Sequence, residues 1–225
     1  MRFAPEGYPF IVGAFLISVI AAVMLLWVIR SAGSHFSVPV ALAFFGISVV
    51  LVFFMAFFFR DPDRVIPEGE GMFVSPADGK VIKIRGITDE QYIGAEATEI
   101  SIFMSPLDVH INRSPCDGRV VSVRHYAGKF MAAYKDDASM KNENIVMVLE
   151  TGQEKVLVRQ VAGFVARRAV CRVKEGDVLR RGERYGIIKF SSRLDIYLPK
   201  GSEIRVNPGD RVKAGETVIA TAKKQ

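Results

Sequence analysis

Cysteine is nearly absent from this chain of 225 residues. Cys116 and Cys171 stand alone, neither in a CxxC pair, so a disulfide framework and a cysteine-based zinc site are both excluded. They read as two small buried residues in a reducing compartment. No other cluster has metal-ligand spacing, and no metal is expected. There is no GxGxxG and no phosphate-binding loop, which removes the usual nucleotide signatures. No lysine sits between small apolar neighbours at a hairpin tip, as a lipoyl carrier would need. The net charge is +6 and the pI about 9.4, yet no basic cluster is interleaved with aromatics, so nucleic acid is not expected as a partner. Histidine is scarce, with only His35, His110 and His125.

Charge is missing from two long stretches, about Phe10 to Ile29 and about Val38 to Phe59. Each approaches the ~20 residues a helix needs to cross ~30 Å of hydrocarbon. The first is longer than a signal-peptide core and lacks a strongly basic start. The link Arg30–Ser37 is short, so the spans form a hairpin, and the N-terminus and everything after Phe59 lie on one side. Arg60 and Arg64 flank the second span, which favours a cytoplasmic location at the cell (plasma) membrane. The expected division is a membrane anchor over 1–60 and a separate domain over 61–225. Arg2, Glu6 and Arg30 account for one net positive charge, leaving +5 on residues 60–225. That basic domain should be drawn to anionic membrane lipid.

The rest of the chain shows short alternating runs rather than helical periodicity. They include Val81–Ile84, Glu99–Phe103, Val120–Val123, Ile145–Leu149, Val156–Val158, Tyr185–Phe190, Leu194–Leu198, Glu203–Val206 and Thr217–Ala220, punctuated by Gly, Pro, Asp and Asn. Many short strands at close spacing imply a mainly β fold. Two internal echoes refine this. Ser75-Pro-Ala-Asp-Gly-Lys-Val81 recurs as Ser114-Pro-Cys-Asp-Gly-Arg-Val120, and Val173–Glu183 recurs as Val206–Glu216, each with a Gly-Asp and a later Gly-Glu. The second unit resembles the turn of lipoyl-type barrel-sandwich folds. The expected architecture is a duplicated barrel-sandwich-like β domain preceded by two transmembrane helices. Val161–Val170 is open between strand and short helix, and Lys129–Ser139 between long loop and helical turn.

Three places could carry chemistry: Asp78 in the first echoed turn, His110 in Leu107-Asp-Val-His-Ile-Asn112, and the pair Ser191-Ser192. An acid, a histidine and a serine can supply an oriented base and a nucleophile. His35 falls in the interhelical link, and His125 in a strand-like run where a structural role is expected.

The context of these residues resembles the phosphatidylserine decarboxylase proenzymes, in their short bacterial and archaeal form. That family carries a Pro-Ala-Asp-Gly turn, an Asp-x-His segment ending in proline, and a Gly-Ser near the C-terminus. Here stand Pro76-Ala-Asp-Gly79, Asp108-Val-His110 with Pro115, and Phe190-Ser-Ser-Arg193. Gly128-Lys-Phe130, Val161-Ala-Gly163, Ala166-Arg-Arg168 and Asp195-Ile-Tyr-Leu-Pro199 extend the similarity over nearly all of 60–225. The resemblance implies self-cleavage between Ser191 and Ser192, which leaves a covalent pyruvoyl (pyruvate) group made from Ser192. It implies decarboxylation of phosphatidylserine to phosphatidylethanolamine, with no pyridoxal. His110 is then the base and Asp78 its orienting partner. Long forms have a second histidine where this chain has Arg113, so His110 would serve both cleavage and later proton transfer. Arg113, Lys129 and Lys189 are the candidate cations for the lipid's anionic groups. The products of the cut, 1–191 and 192–225, would stay together as a heterodimer; a homo-oligomer is left open.

One position departs from the family pattern. Ser191 stands where the family has glycine, and glycine tolerates backbone geometry that a residue with a Cβ resists. Ser192 attacking the Ser191 carbonyl, Ser191 attacking the Phe190 carbonyl, and no cut at all are the three outcomes. The rival readings are a non-enzymatic membrane-tethered barrel-sandwich binding module, a pyruvoyl enzyme for a soluble amino acid, and a decarboxylase of an archaeal-type serine ether lipid.

Overall fold

The computed structural model describes residues 2–31, 37–89, 91–128, 142–152, 154–163, 168–189 and 192–223. The chain forms two compact units, Met1–Pro62 and Asp63–Gln225.

The first unit is a pair of antiparallel helices, α1 (Tyr8–Arg30) and α2 (Ser37–Phe58). At 1.5 Å per residue each is about 33 Å long, and both are long and apolar enough to cross a membrane. Large apolar side chains point outward on nearly every side, with Trp27 69% and Phe53 71% exposed. A helix that is apolar all round needs an apolar surrounding, so the pair is compatible with membrane association. Ala14, Ser18 and Ala21 form the buried stripe of α1, a small-residue face that lets helices approach closely. A short strand β1 (Arg2–Phe3) pairs with β2 (Arg60–Asp61), the Ala4 N–H donates to Phe59 O at 2.8 Å, and the Phe10 ring stacks on Phe59. The beginning and the end of the unit are thereby fastened together.

The second unit is mainly β. Its large antiparallel sheet contains β4 (Gly79–Asp89), β5 (Ala95–Met104), β7 (Gly118–Tyr126), β8 (Asn144–Thr151), β9 (Glu154–Ala162), β11 (Val178–Leu179), β13 (Ser192–Pro199) and β15 (Arg211–Val212). Their order across the sheet is β11-β7-β8-β9-β13-β5-β4-β15. From either edge inward come a two-residue strand, a bulged long strand, a second long strand, and then the central pair β9–β13. The bulges fall between Val120 and Ser122 in one half and between Val81 and Lys83 in the other. Two three-stranded sheets repeat the same logic. One joins β10 (Ala169–Cys171), β12 (Arg184–Ile188) and β6 (Ile111–Arg113); the other joins β14 (Glu203–Ile204), β16 (Val218–Thr221) and β3 (Met72–Val74).

The sequence echoes become matched hydrogen bonds. Asp78 Oδ1 accepts from Ala214 N at 2.8 Å, and Asp117 Oδ1 accepts from Arg181 N at 2.9 Å. Ser75 Oγ donates to Ala77 O, and Ser114 Oγ to Cys116 O. Val81 N donates to Asp210 O, and Val120 N to Asp177 O. The duplication expected from the echoes is present as two halves with one bonding plan. The half β6–β12 is continuous, whereas the other is split into β3–β5 and β13–β16. Counterpart hairpins differ accordingly. Thr151 faces Glu154 across the tight β8–β9 turn, while at the same end of β5–β13 Met104 faces Ser192 and the whole other half is inserted between them.

The core lies inside the curled sheet and is built from its inward faces, including Val81, Ile100, Ile102, Met104, Leu149, Val158, Leu194 and Ile196. Cys116 is buried among them, and burial beside Asp117 pushes its thiol up to about 12. Cys171 is half-buried, and its thiol is also raised by burial. A raised thiol pKa lowers the thiolate fraction of each. Val161–Ala162 end β9 and Ala169–Val170 begin β10. Lys129–Ser139 lies outside the described residues.

Candidate active site

Ser192 is the first residue of β13 and is fully buried. Its neighbours across the ladder are Met104 on β5 and Ala162 on β9. Even-numbered residues of β13 face the core, so Ser192 shares a face with Leu194, Ile196 and Leu198. The Ser192 hydroxyl donates to Met104 Sδ at 3.4 Å. A thioether is a weak acceptor, so among the described residues the hydroxyl is buried without being held by a strong partner. Ser191 and Phe190, on the other side of the expected cut, lie outside the described residues, as do Lys129 and His35.

His110 is also fully buried. It sits in the segment that leaves β5 for β6, a turn in which Asp108 Oδ2 accepts from Ser105 N at 2.8 Å. His110 Nδ1 lies 3.0 Å from the main-chain oxygen of Asp108. That contact fits an Nδ1–H tautomer and leaves Nε2 as the basic nitrogen. The His110 main-chain oxygen accepts from Ile188 N at 3.3 Å. His110 is thus fastened to the end of β12 at Ile188, and Ser192 pairs with Met104 at the end of β5.

Asp78 is mostly buried in the turn between β3 and β4. Arg64 Nη2 donates to both of its oxygens, at 3.1 and 2.8 Å, and Ala214 N donates to Oδ1. Burial raises its pKa above the ordinary 3.8; the Ala214 N–H and the Arg64 charge oppose this, and the nearby Asp108 adds to it. The Ala214 bond has its counterpart at Asp117 and belongs to the repeated architecture. Asp108 links this group to His110: its charge is felt at Asp78, and its carbonyl holds the imidazole.

Arg113 is buried and donates from Nη1 to Gly182 O at 2.9 Å. Lys189 is half-buried, and its N–H donates to Arg168 O at 3.2 Å. His125 lies 3.4 Å from Glu143 Oε1 on an exposed stretch of β7, a surface pairing away from the core. Among the described residues no group of His, Cys, Asp and Glu could hold a metal ion.

Sequence reading passed over the polar residues around Ser192. Asn112 and Gln160 are buried and joined by a 2.8 Å hydrogen bond. On the outer face of β13, Arg193 is buried between Asp195 (2.6 Å), Ser101 (2.8 Å) and Glu99 (3.5 Å), and Arg85 adds a second ion pair to Glu99. The available signal was the break that Arg159-Gln160 and Arg193-x-Asp195 make in otherwise apolar strands.

Fold and site define a class of protein: a mainly β domain of two matching halves, with Ser192 and His110 both buried in it, and a pair of apolar helices compatible with membrane association. The sequence profile of the family described as phosphatidylserine decarboxylase matches residues 51–220. The chain is 46% identical over 218 residues to the phosphatidylserine decarboxylase proenzyme of Geobacter metallireducens, covering 96% of this chain and 94% of that one. It is 47% identical over 217 residues to that of Geotalea uraniireducens and 42% over 217 to that of Symbiobacterium thermophilum, with the same coverage. The chain belongs to the phosphatidylserine decarboxylase family.

Proposed function

We propose that the chain is a self-cleaving proenzyme which, once cut between Ser191 and Ser192, decarboxylates phosphatidylserine to phosphatidylethanolamine at the cytoplasmic face of the cell membrane. The carrying observation is the buried Ser192 hydroxyl, set against the Met104 thioether where the β5–β13 hairpin is opened. The substrate follows from the name borne by the relatives. The helix pair keeps the domain at the membrane, and its basic charge draws it to anionic lipid.

Cleavage uses the chain's own groups. His110 takes the Ser192 hydroxyl proton, Oγ bonds to the carbonyl carbon of residue 191, and the C–N bond breaks as nitrogen receives the proton. The resulting ester loses the Ser192 α-proton and expels the carboxylate of residue 191. The dehydroalanine left behind takes up water and releases ammonia. Asp78, with Arg64 beside it, sets the electrostatics of this region through Asp108 and so supports the charged imidazole. Of the two serines, Ser192 is the one preferred, because it begins β13 and is fully buried.

A pyruvoyl group fits this place. It would be built from the carbon atoms of Ser192 and remain amide-linked to Arg193, at a position whose ladder neighbour is the small residue Ala162. When present, such a group supplies the carbonyl that captures the substrate amine and draws electrons from the bond to CO2. The buried walls keep water out, and His110 returns a proton. Lys189, three residues before Ser192, is the cation proposed for the lipid phosphodiester; Arg113 and Lys129 were the other candidates, and Arg113 is engaged at the Gly182 turn.

The test is CO2 release from phosphatidylserine in mixed micelles by the full chain. The parent should be active and Ser192→Ala inactive and uncut. His110→Ala should lose cleavage, decarboxylation or both, and full activity in it would remove His110 from the mechanism. A parent that binds anionic vesicles but releases no CO2 would favour the binding-module reading, and release only from ether-linked serine lipid would redirect the substrate.

A further inference from the structure

Two amides are buried beside Ser192, where apolar side chains of the same shape would avoid desolvating polar groups. Gln160 lies on β9 facing Leu194, two residues from Ala162, which faces Ser192. These residues and Met104 share the inward side of the sheet. Gln160 Nε2 lies 2.8 Å from Asn112 Oδ1 and 3.3 Å from Val170 O. Two acceptors identify Nε2 as the nitrogen and fix the Asn112 amide, whose Nδ2 must then point away from Gln160. Nδ2 lies 3.9 Å from Met104 Sδ, the same sulfur that Ser192 Oγ meets at 3.4 Å. Gln160 Oε1 is buried with no hydrogen-bond partner among the described residues. Gly186 makes room for the pair, since a Cβ there would stand 2.9 Å from Gln160 Nε2 and 2.3 Å from Val170 O.

We propose that Asn112, held in orientation by Gln160, is the hydrogen-bond donor for the oxygen that becomes negative when Ser192 attacks the preceding peptide bond. The inference rests on the self-cleaving reading above. As Oγ bonds to the carbonyl carbon and its proton moves to His110, the carbonyl electron pair shifts onto oxygen. That charge persists until the C–N bond breaks and nitrogen takes the proton from His110. A preorganised donor in a dry site stabilises such a charge without having to reorganise. The weak sulfur partner of Nδ2 is given up at little cost when an anionic oxygen forms. Gln160 acts through Asn112 and is a positioning residue.

The experiment follows cleavage of full-length chain after cell-free synthesis into detergent micelles, by intact mass against time. Asn112→Leu and Asn112→Asp should cut roughly 100- to 1,000-fold more slowly than the parent, the range for loss of one such donor. Gln160→Leu should show a smaller loss. Asn112→Asp keeps the shape and the acceptor for Gln160, so it answers the question if Asn112→Leu fails to fold. Hydroxylamine, which cleaves esters but not amides, separates ester formation from the later elimination: it should leave the Asn112 variants slow, because ester formation is the step that fails. Cutting at the parental rate, or restoration of that rate by hydroxylamine, overturns the assignment of Asn112. A parent that never cuts overturns the self-cleaving reading and this inference with it.

Discussion

A serine hydroxyl resting on a methionine sulfur differs in kind from one bonded to oxygen. The buried Ser75 and Ser114 each donate to a main-chain carbonyl, at 2.7 and 2.8 Å, and serve as turn caps. Among the described residues Ser192 meets only the weak acceptor Met104 Sδ at 3.4 Å, which suits the nucleophilic role proposed for it. Asp78 illustrates the opposite balance, with a carboxyl drawn between burial and Arg64. Because burial dominates, its folded-state pKa lies above 3.8. The stability it contributes is then fully present below the unfolded value and is lost as pH rises through the folded one. Thermal melts of the full chain in micelles should show this as a difference. Relative to Asp78→Asn, which has no proton to lose, the parent should hold its largest margin in acid and lose it as pH climbs past the ordinary aspartate range. A margin that grows with pH would show that Arg64, not burial, dominates.

Among the elements, the long bulged strands β4 and β7 bring two glycines against main chain. A Cβ on Gly79 would stand 2.2 Å from Phe103 O, and one on Gly118 2.7 Å from Glu150 O. These are counterpart positions of the two halves, and in each the obstruction is backbone of the next strand. Gly118→Ala should cost about 1–3 kcal/mol through overpacking, read as a lowered Tm, whereas Gly86→Ala on the same sheet, with nothing within 4 Å of its Cβ, should stay within about 0.5 kcal/mol of the parent. Equal effects at the two sites would contradict the ladder geometry. At this scale much was legible in the sequence. Alternation exposed the long strands, because their inward residues form one core, and the echoed turns exposed the duplication, because each half uses the same Asp and Ser caps. The short strands β3, β6, β10, β11 and β15 were not legible; two or three residues carry no period, and only their partners define them. Asp78, His110 and Ser192 stood out through family resemblance. Asn112 and Gln160 did not, since their pairing depends on strands 48 residues apart in sequence.

For the whole molecule, the split half has a consequence. β13 lies between β5 and β9 and is paired to both, from Ser192 to Pro199 on one side and from Ser192 to Tyr197 on the other. A cut before Ser192 releases a chain end without opening either ladder. The 34 residues of 192–225 also contribute β14, β15 and β16, each paired to another strand, with β15 and β16 pairing outside the fragment. The two products should therefore co-elute on size exclusion in micelles and separate only in denaturant. Separation under native conditions would mean that the ladders do not hold the cleaved form together. The two apolar helices would belong to the larger product, so under the proposed cleavage the smaller one would stay with them through this pairing.

Intact mass spectrometry of the purified chain decides whether the chain cuts itself at Ser192. Two species are expected, 1–191 and a 34-residue fragment of 192–225 whose N-terminal residue has lost its amino group to a pyruvoyl carbonyl. A single uncut chain of 225 residues, or a fragment beginning with an intact serine, would contradict that expectation.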